Sequence, residues 1–283
     1  MNDVIINGIV NDLGIKKDSV IATLKLLGEG ATIPFIARYR KEVTGALDEE
    51  QIRSINEVYE YQENLLKRKE DVIRLIDEKG MLTEELVKAI DEATKLSEVE
   101  DIYTPFKEKR KTKGTEAIKL GLEPLAKIIM TLPNKTRDEI AKDFINENVK
   151  NVDEAMTNAG YIIADWISDK PKYRKAIRNY YWYNGLVKGK LKKGAVDENK
   201  TYEIYYDFEC KITCIKPHQV LALARADKEK VVTYSLSLDK AGVIKYLEEQ
   251  VIGNKKSPLA QDMQVFIEDA WKRLLEPSLE RDI

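Results

Sequence analysis

The stretch from Lys170 to Val196 contains no acidic residue, yet it carries Lys170, Lys172, Arg174, Lys175, Arg178, Lys188, Lys190, Lys192 and Lys193. Tyr173, Tyr180, Tyr181, Trp182 and Tyr183 are interleaved with these cations. Lysine and arginine release condensed counterions from phosphates, and exposed aromatic rings stack on unpaired bases. A helix turns by about 100° per residue, so four consecutive aromatics cannot share one face and some of them must meet solvent. Lys172, Arg174, Lys175, Arg178, Tyr181, Lys188, Lys190, Lys192 and Lys193 are the candidate nucleic-acid contacts of this stretch. A second cluster comprises Lys107, Lys109, Arg110, Lys111 and Lys113, with Glu108 as its one opposite charge, and a third comprises Arg38, Arg40 and Lys41 after the apolar run IPFIA. Either run could contact phosphate or another protein surface, but a charge run is more often a solvated face.

Catalytic chemistry finds little to work with. No phosphate-binding G-x-x-x-x-G-K-[ST] loop, G-x-G-x-x-G turn, G-x-S-x-G elbow or H-E-x-x-H pair occurs. The single histidine, His218, leaves no basis for a histidine triad or a histidine-rich metal site. Cys210 and Cys214 form C-x-x-x-C, and His218 adds only a third ligand where structural zinc takes four. Adjacent carboxylates such as Glu100 and Asp101 point apart on a helix. The residues therefore predict a non-catalytic chain with no metal site and no cofactor, its two cysteines reduced thiols of a cytoplasmic protein.

The elements that position these residues are mostly helices. Val4, Ile5, Ile9 and Leu13 keep helical spacing up to Gly14, and Val20, Ile21, Leu24 and Leu27 resume it until Gly28 and Gly30. This pair has the outline of a helix-turn-helix. Asp48 and Gln51 form a capping-box pattern ahead of one long helix that runs to Lys79. Its apolar positions Ile52, Tyr59, Leu66 and Ile73 repeat every seven residues, but the companion row Ile55, Gln62, Lys69 and Ile76 is only half apolar. That stripe suits packing against several helices of the same chain better than a two-stranded coiled coil. Further starts are read at Ser97–Glu100 and Thr136–Glu139 as capping boxes, and at Pro258 as a first-turn proline. A helix face runs from Asp153 to Ser168, and a final stripe, Leu259 to Leu274, is expected to end at Pro277. The segments TYEIYYDFECKIT, 201–213, and VVTYSLSL, 231–238, read as strands with a helix over His218 to Ala226 between them.

The predicted class is mainly α: a multi-helical bundle with a helix-turn-helix-like element and a small β element near 201–238. Composition divides the chain into a helical part, 1–196, and a mixed part, 197–283. With 283 residues, 43% of them hydrophobic and 34% charged, the chain is large enough to build its core without disulfides or metal. The net charge of −2 gives no overall attraction to nucleic acid or to membranes, so binding must come from local patches. No run approaches the roughly 20 apolar residues of a membrane span.

The run ATIPFIARYRKEVTGALDEEQIRSI, Ala31 to Ile55, closely resembles the N-terminal signature of the Tex family. EDIYTPFKEKRKT (100–112), GLEPLA (121–126), IIADWISD, YYDF and the closing RLLEPSLER resemble later blocks of that family, in order. Asp165 stands in IIADWISD where glutamate is usual. His218, Leu221, Ala222 and Arg225 match the pattern H-x-x-L-A-x-x-R, from whose usual Arg and Gly neighbours Gln219 and Ala226 depart. The resemblance implies a helical N-terminal region of a transcription accessory protein, followed in longer members by RNase H-like, helix-hairpin-helix and S1 RNA-binding domains. It also implies that this chain is a piece of such a protein. Two roles follow as expectations: a scaffold that binds RNA or DNA weakly, or a module docking on RNA polymerase or ribosome-associated proteins.

Overall fold

The computed structural model describes residues 2–107 and 111–282. They form two compact units, Met1–Tyr103 and Thr104–Ile283.

Among its described residues the first unit is built from helices joined by short turns, with no strand. Helix α1 (Asp3–Leu13) ends where Gly14 adopts a left-handed conformation at φ 64°, and α2 (Lys17–Gly28) follows after a three-residue turn. Two short helices, α3 (Ile33–Tyr39) and α4 (Lys41–Thr44), lead to the long α5 (Glu49–Asp77). The capping box read at its start is formed: the Gln51 backbone N–H donates to Asp48 Oδ1 at 2.8 Å, and the Asp48 N–H donates to Gln51 Oε1 at 3.0 Å. Helices α6 (Glu84–Glu92) and α7 (Leu96–Tyr103) complete the unit. Helix α5 packs on α1, α2, α3, α6 and α7, as the half-apolar companion row predicts. Its Ile52 and Ile55 join Ile5, Ile6, Ile9, Val20, Leu24 and Ile36 in one core.

One predicted cap is absent. Ser97 lies inside α7, and Glu100 is drawn across to Arg68 instead of back to the helix start. The turn before α7 is held by Thr94, whose backbone N–H donates to the Glu98 carboxylate at 2.9 Å.

In the second unit α8 (Lys113–Lys119), α9 (Glu123–Met130) and α10 (Arg137–Ala141) surround the central α11 (Val152–Ser168). Thr136 and Glu139 form the predicted box of α10. Helix α11 is buried on most of its circumference, with Ala155, Ala159, Gly160 and Ala164 letting its neighbours approach closely. Helix α12 (Pro171–Asn184) leads into β1 (Leu186–Leu191); β2 (Asp207–Lys211), α13 (Pro217–Lys228) and β3 (Val232–Ser237) follow. The three strands make one antiparallel sheet in the order β2-β1-β3. Helices α14 (Lys240–Val251), α15 (Ala260–Asp269) and α16 (Glu276–Asp282) end the chain, the last two joined by a π-helical turn, Ala270–Leu275.

The compact units part at Tyr103/Thr104, and β1 pairs with β2 and β3 within the second of them. Two expectations are revised here. Pro258 sits in the turn ahead of α15 and not in its first turn. Pro277 does not end the C-terminal helix. A proline ring normally clashes with the carbonyl four residues back, and the wider π turn comes immediately before it. Among the described residues no helix is long and apolar enough to cross a membrane.

Candidate nucleic-acid interface

The acid-free stretch 170–196 folds so that much of its charge is met from elsewhere in the chain. Helix α12 buries Tyr173, Arg174, Ile177 and Tyr181 on its inner face. Tyr181 is 1% exposed, with its ring centroid 6.4 Å from that of Trp271, so this candidate for base stacking is a core residue. Burial, reinforced by the carboxylates of Glu276 and Glu280, pushes its phenol up to about 12. The folded protein thus holds this proton more tightly than the unfolded chain, whose tyrosines ionise near 10. Stability is expected to fall as pH rises from about 10 towards 12, and Tyr181→Phe to weaken that fall; alkaline denaturant titrations check it. Trp182 and Tyr183 take the solvent side, 49% and 68% exposed.

The cations of this stretch divide in the same way. Arg174 and Arg178 both donate to Asp282 Oδ2, at 3.3 and 2.9 Å, and Arg174 also donates to Ser278 Oγ at 2.9 Å. Both therefore tie α12 to α16. Lys172 donates to Gln250 Oε1, and Lys175 is exposed. On β1, alternation turns Val187 and Gly189 inward and Lys188 and Lys190 outward. Lys188 pairs with Glu209 at 2.9 Å, and Lys190 lies opposite Asp207 in the strand register. Lys192 pairs with Asp227 at 3.0 Å, while Lys193 is exposed in the following turn. Carboxylates from β2, α13 and α16 supply in space what the local sequence lacks.

In the second cluster Lys109 and Arg110 lie outside the described residues. Lys107 is exposed, and Lys111 pairs with Glu116 at 3.0 Å. Lys113 stands 4.6 Å from the centroid of the Tyr161 ring. A cleft of about 560 Å³ nearby is lined by Pro105, Ile118, Trp166, Asp169 and the buried Asp165, which accepts from Thr112 Oγ1 at 3.3 Å.

The third cluster is different. Ile36 and Thr44 anchor α3 and α4 in the core, both with no exposed surface. The opposite face of α3 presents Phe35 and Tyr39, 40% and 61% exposed, one helical turn apart. Their ring centroids are 5.4 Å apart with planes inclined at 43°. The Arg40 guanidinium lies 5.1 Å from the Phe35 centroid, and its Nη1 donates to the Tyr39 carbonyl at 3.0 Å. Arg38 and Lys41 are exposed beside them. Among the described residues none of Arg38, Arg40 and Lys41 enters an ion pair. Phe35 and Tyr39 are functional candidates that the sequence reading passed over. Their signal was present in IPFIARY, where Ile33, Ile36 and Ala37 account for the inward face and leave both rings outside.

Among the described residues no group of three or more His, Cys, Asp or Glu side chains is arranged to hold a metal. Cys214 and His218 are exposed, and Cys210 is half-buried.

Residues 3–77 match the model of the Tex-like protein N-terminal domain, and residues 133–283 match the Tex central region-like model. An uncharacterised protein of Bacillus subtilis, YdcI, is 43% identical over 279 residues, covering 97% of this chain and 39% of the relative. The transcriptional accessory protein Tex of Neisseria gonorrhoeae is 32% identical over 76% of this chain and 28% of its own length. The human S1 RNA-binding domain-containing protein 1 is 28% identical over 92% of this chain and 27% of its own length. The chain thus spans well under half the length of these curated relatives. By its two matched regions, which include more than half of its residues, it belongs to the Tex family of transcription accessory proteins.

Proposed function

We propose that this region is a non-catalytic scaffold of the transcription machinery, working in the cytoplasm, that contacts RNA or DNA through the face formed by α3 and α4. One observation carries the reading: Arg38, Arg40 and Lys41 stand beside two exposed rings with no carboxylate paired to them among the described residues. The names of the Neisseria and human relatives, which refer to transcription and to RNA binding, support it. The absence of any catalytic motif from the sequence supports the non-catalytic part.

Phosphate-driven affinity is greatest at low salt and falls linearly in log–log form as salt rises. Binding to labelled single-stranded RNA and duplex DNA is therefore expected at low ionic strength and to weaken as salt is added. Arg38→Glu combined with Lys41→Glu is expected to lower affinity at least about tenfold and to flatten the salt slope by about two. Lys188→Glu with Lys190→Glu is expected to do much less, since Glu209 and Asp207 already face those cations. No binding at the lowest salt would sink the proposal.

A second reading, a docking module for RNA polymerase or ribosome-associated proteins, rests on α13. That helix exposes Val220 and Leu221, 48% and 69%, between His218 and Arg225. Contiguous exposed apolar patches rimmed by polar residues mark protein contacts, and these two side chains would form the centre of one. A pull-down from lysate recovering no transcription or translation component counts against this reading.

A further inference from the structure

We infer that the Phe35–Tyr39 pair is a stacking platform for unpaired bases, so that the ligand of the α3–α4 face is single-stranded nucleic acid rather than duplex. The inference rests on the proposed nucleic-acid contact of that face and adds the class of ligand.

Three features point to a single strand. Tyr39 is 61% exposed although its ring is apolar, and it stands against a neighbouring ring. The Phe35 ring centroid lies 5.4 Å from that of Tyr39, and the Arg40 guanidinium lies 5.1 Å from the Phe35 centroid while its Nη1 donates to the Tyr39 carbonyl. A ring already held in position loses little conformational entropy when a base stacks on it. Duplex DNA keeps its base faces inside the helix, where a tyrosine standing on a helix surface does not reach them. Unpaired bases offer their faces directly. Arg38 and Lys41, exposed on the same short segment, then meet the phosphates flanking the stacked base. A purely apolar protein partner would leave these cations desolvated and unpaired, which is costly.

Stacking and phosphate attraction have separable signatures. Stacking is sequence-tolerant and does not release counterions, whereas each phosphate contact contributes to the salt slope. The test uses the 283-residue chain with fluorescein-labelled oligonucleotides: single-stranded RNA, single-stranded DNA and the matching duplex. Tyr39→Ala is expected to weaken binding to both single strands by roughly tenfold while leaving the salt slope unchanged. Tyr39→Trp is expected to keep affinity and to show additional tryptophan quenching when a base stacks on it. Tyr39 is largely exposed, so both variants should fold; circular dichroism verifies this.

Unchanged affinity of Tyr39→Ala for single strands, with Arg38→Glu and Lys41→Glu still weakening binding, overturns the stacking platform and leaves the phosphate contact standing. Preference for duplex over both single strands overturns it as well. Failure of the wild-type chain to bind any of the three oligonucleotides at low salt removes the nucleic-acid reading itself and with it the platform; α3–α4 would then serve a protein partner.

Discussion

Trp271→Ala is expected to destabilise the second unit by about 3–5 kcal/mol, lowering its thermal midpoint by roughly 10 °C. Trp271 is among the largest fully buried side chains, 1% exposed, and lies in the π turn between α15 and α16. Truncation removes the ring that packs against Tyr181 and opens a cavity that the rigid α11 and α12 surroundings cannot close. The magnitude is tested by comparing Trp271→Ala with Trp271→Phe in urea. The indole Nε1 has no hydrogen-bond partner, so phenylalanine sacrifices no bond and removes an unsatisfied buried donor. Phenylalanine is therefore expected to cost about 1–2 kcal/mol, less than half the alanine effect. Equal losses for the two variants would mean that the indole makes a polar contact in solution, and a loss under 1 kcal/mol for alanine would mean the site collapses.

Gly160→Ala is the second large effect, and its sign is decided by competition. In an exposed helix the change would gain about 1 kcal/mol of helix propensity. On α11, however, an added Cβ overlaps the Phe266 ring of α15. Phe266 is 7% exposed and has little freedom to swing away, so either its rotamer or the α11–α15 spacing must give. Overpacking of this kind costs about 1–3 kcal/mol for a methyl group and more for a larger side chain. The net is a destabilisation of up to about 2 kcal/mol for alanine, and a larger one for Gly160→Val. Phe266→Leu should recover part of the alanine loss in a double-mutant cycle, because the two side chains compete for one space. Additive losses would show that the overlap is relieved elsewhere.

These two sites mark where sequence reasoning stops. The capping boxes of α5 and α10 and the glycine stop of α1 were legible because each is a short-range hydrogen bond or a backbone conformation set by neighbouring residues. Strand β3 was legible from its alternation, whereas of the segment 201–213 only Asp207–Lys211 is extended and its aromatic half forms a 3-10 turn at Glu203–Tyr205. The central strand β1 was not, since LVKGKL carries its lysines on the outer face and a glycine on the inner one. That glycine reads as a breaker, yet the sheet requires it: the Tyr205 carbonyl would lie 2.7 Å from a Cβ at Gly189.

The same distinction governs the candidate interface. The sequence by itself determined the mainly α class, the longest helices and the family, because caps, stripes and ordered motif blocks are local or linear properties. It also marked all three basic clusters. Only the tertiary structure decided which cations remain available, since an ion pair depends on distance in space and not along the chain. Arg178 and Asp282 are 104 residues apart and 2.9 Å apart. Tyr181 went into the core, and the lysines of β1 came to face carboxylates of β2. Meanwhile the short run around Tyr39, less conspicuous in sequence than the long acid-free stretch, kept its rings and its charge at the surface.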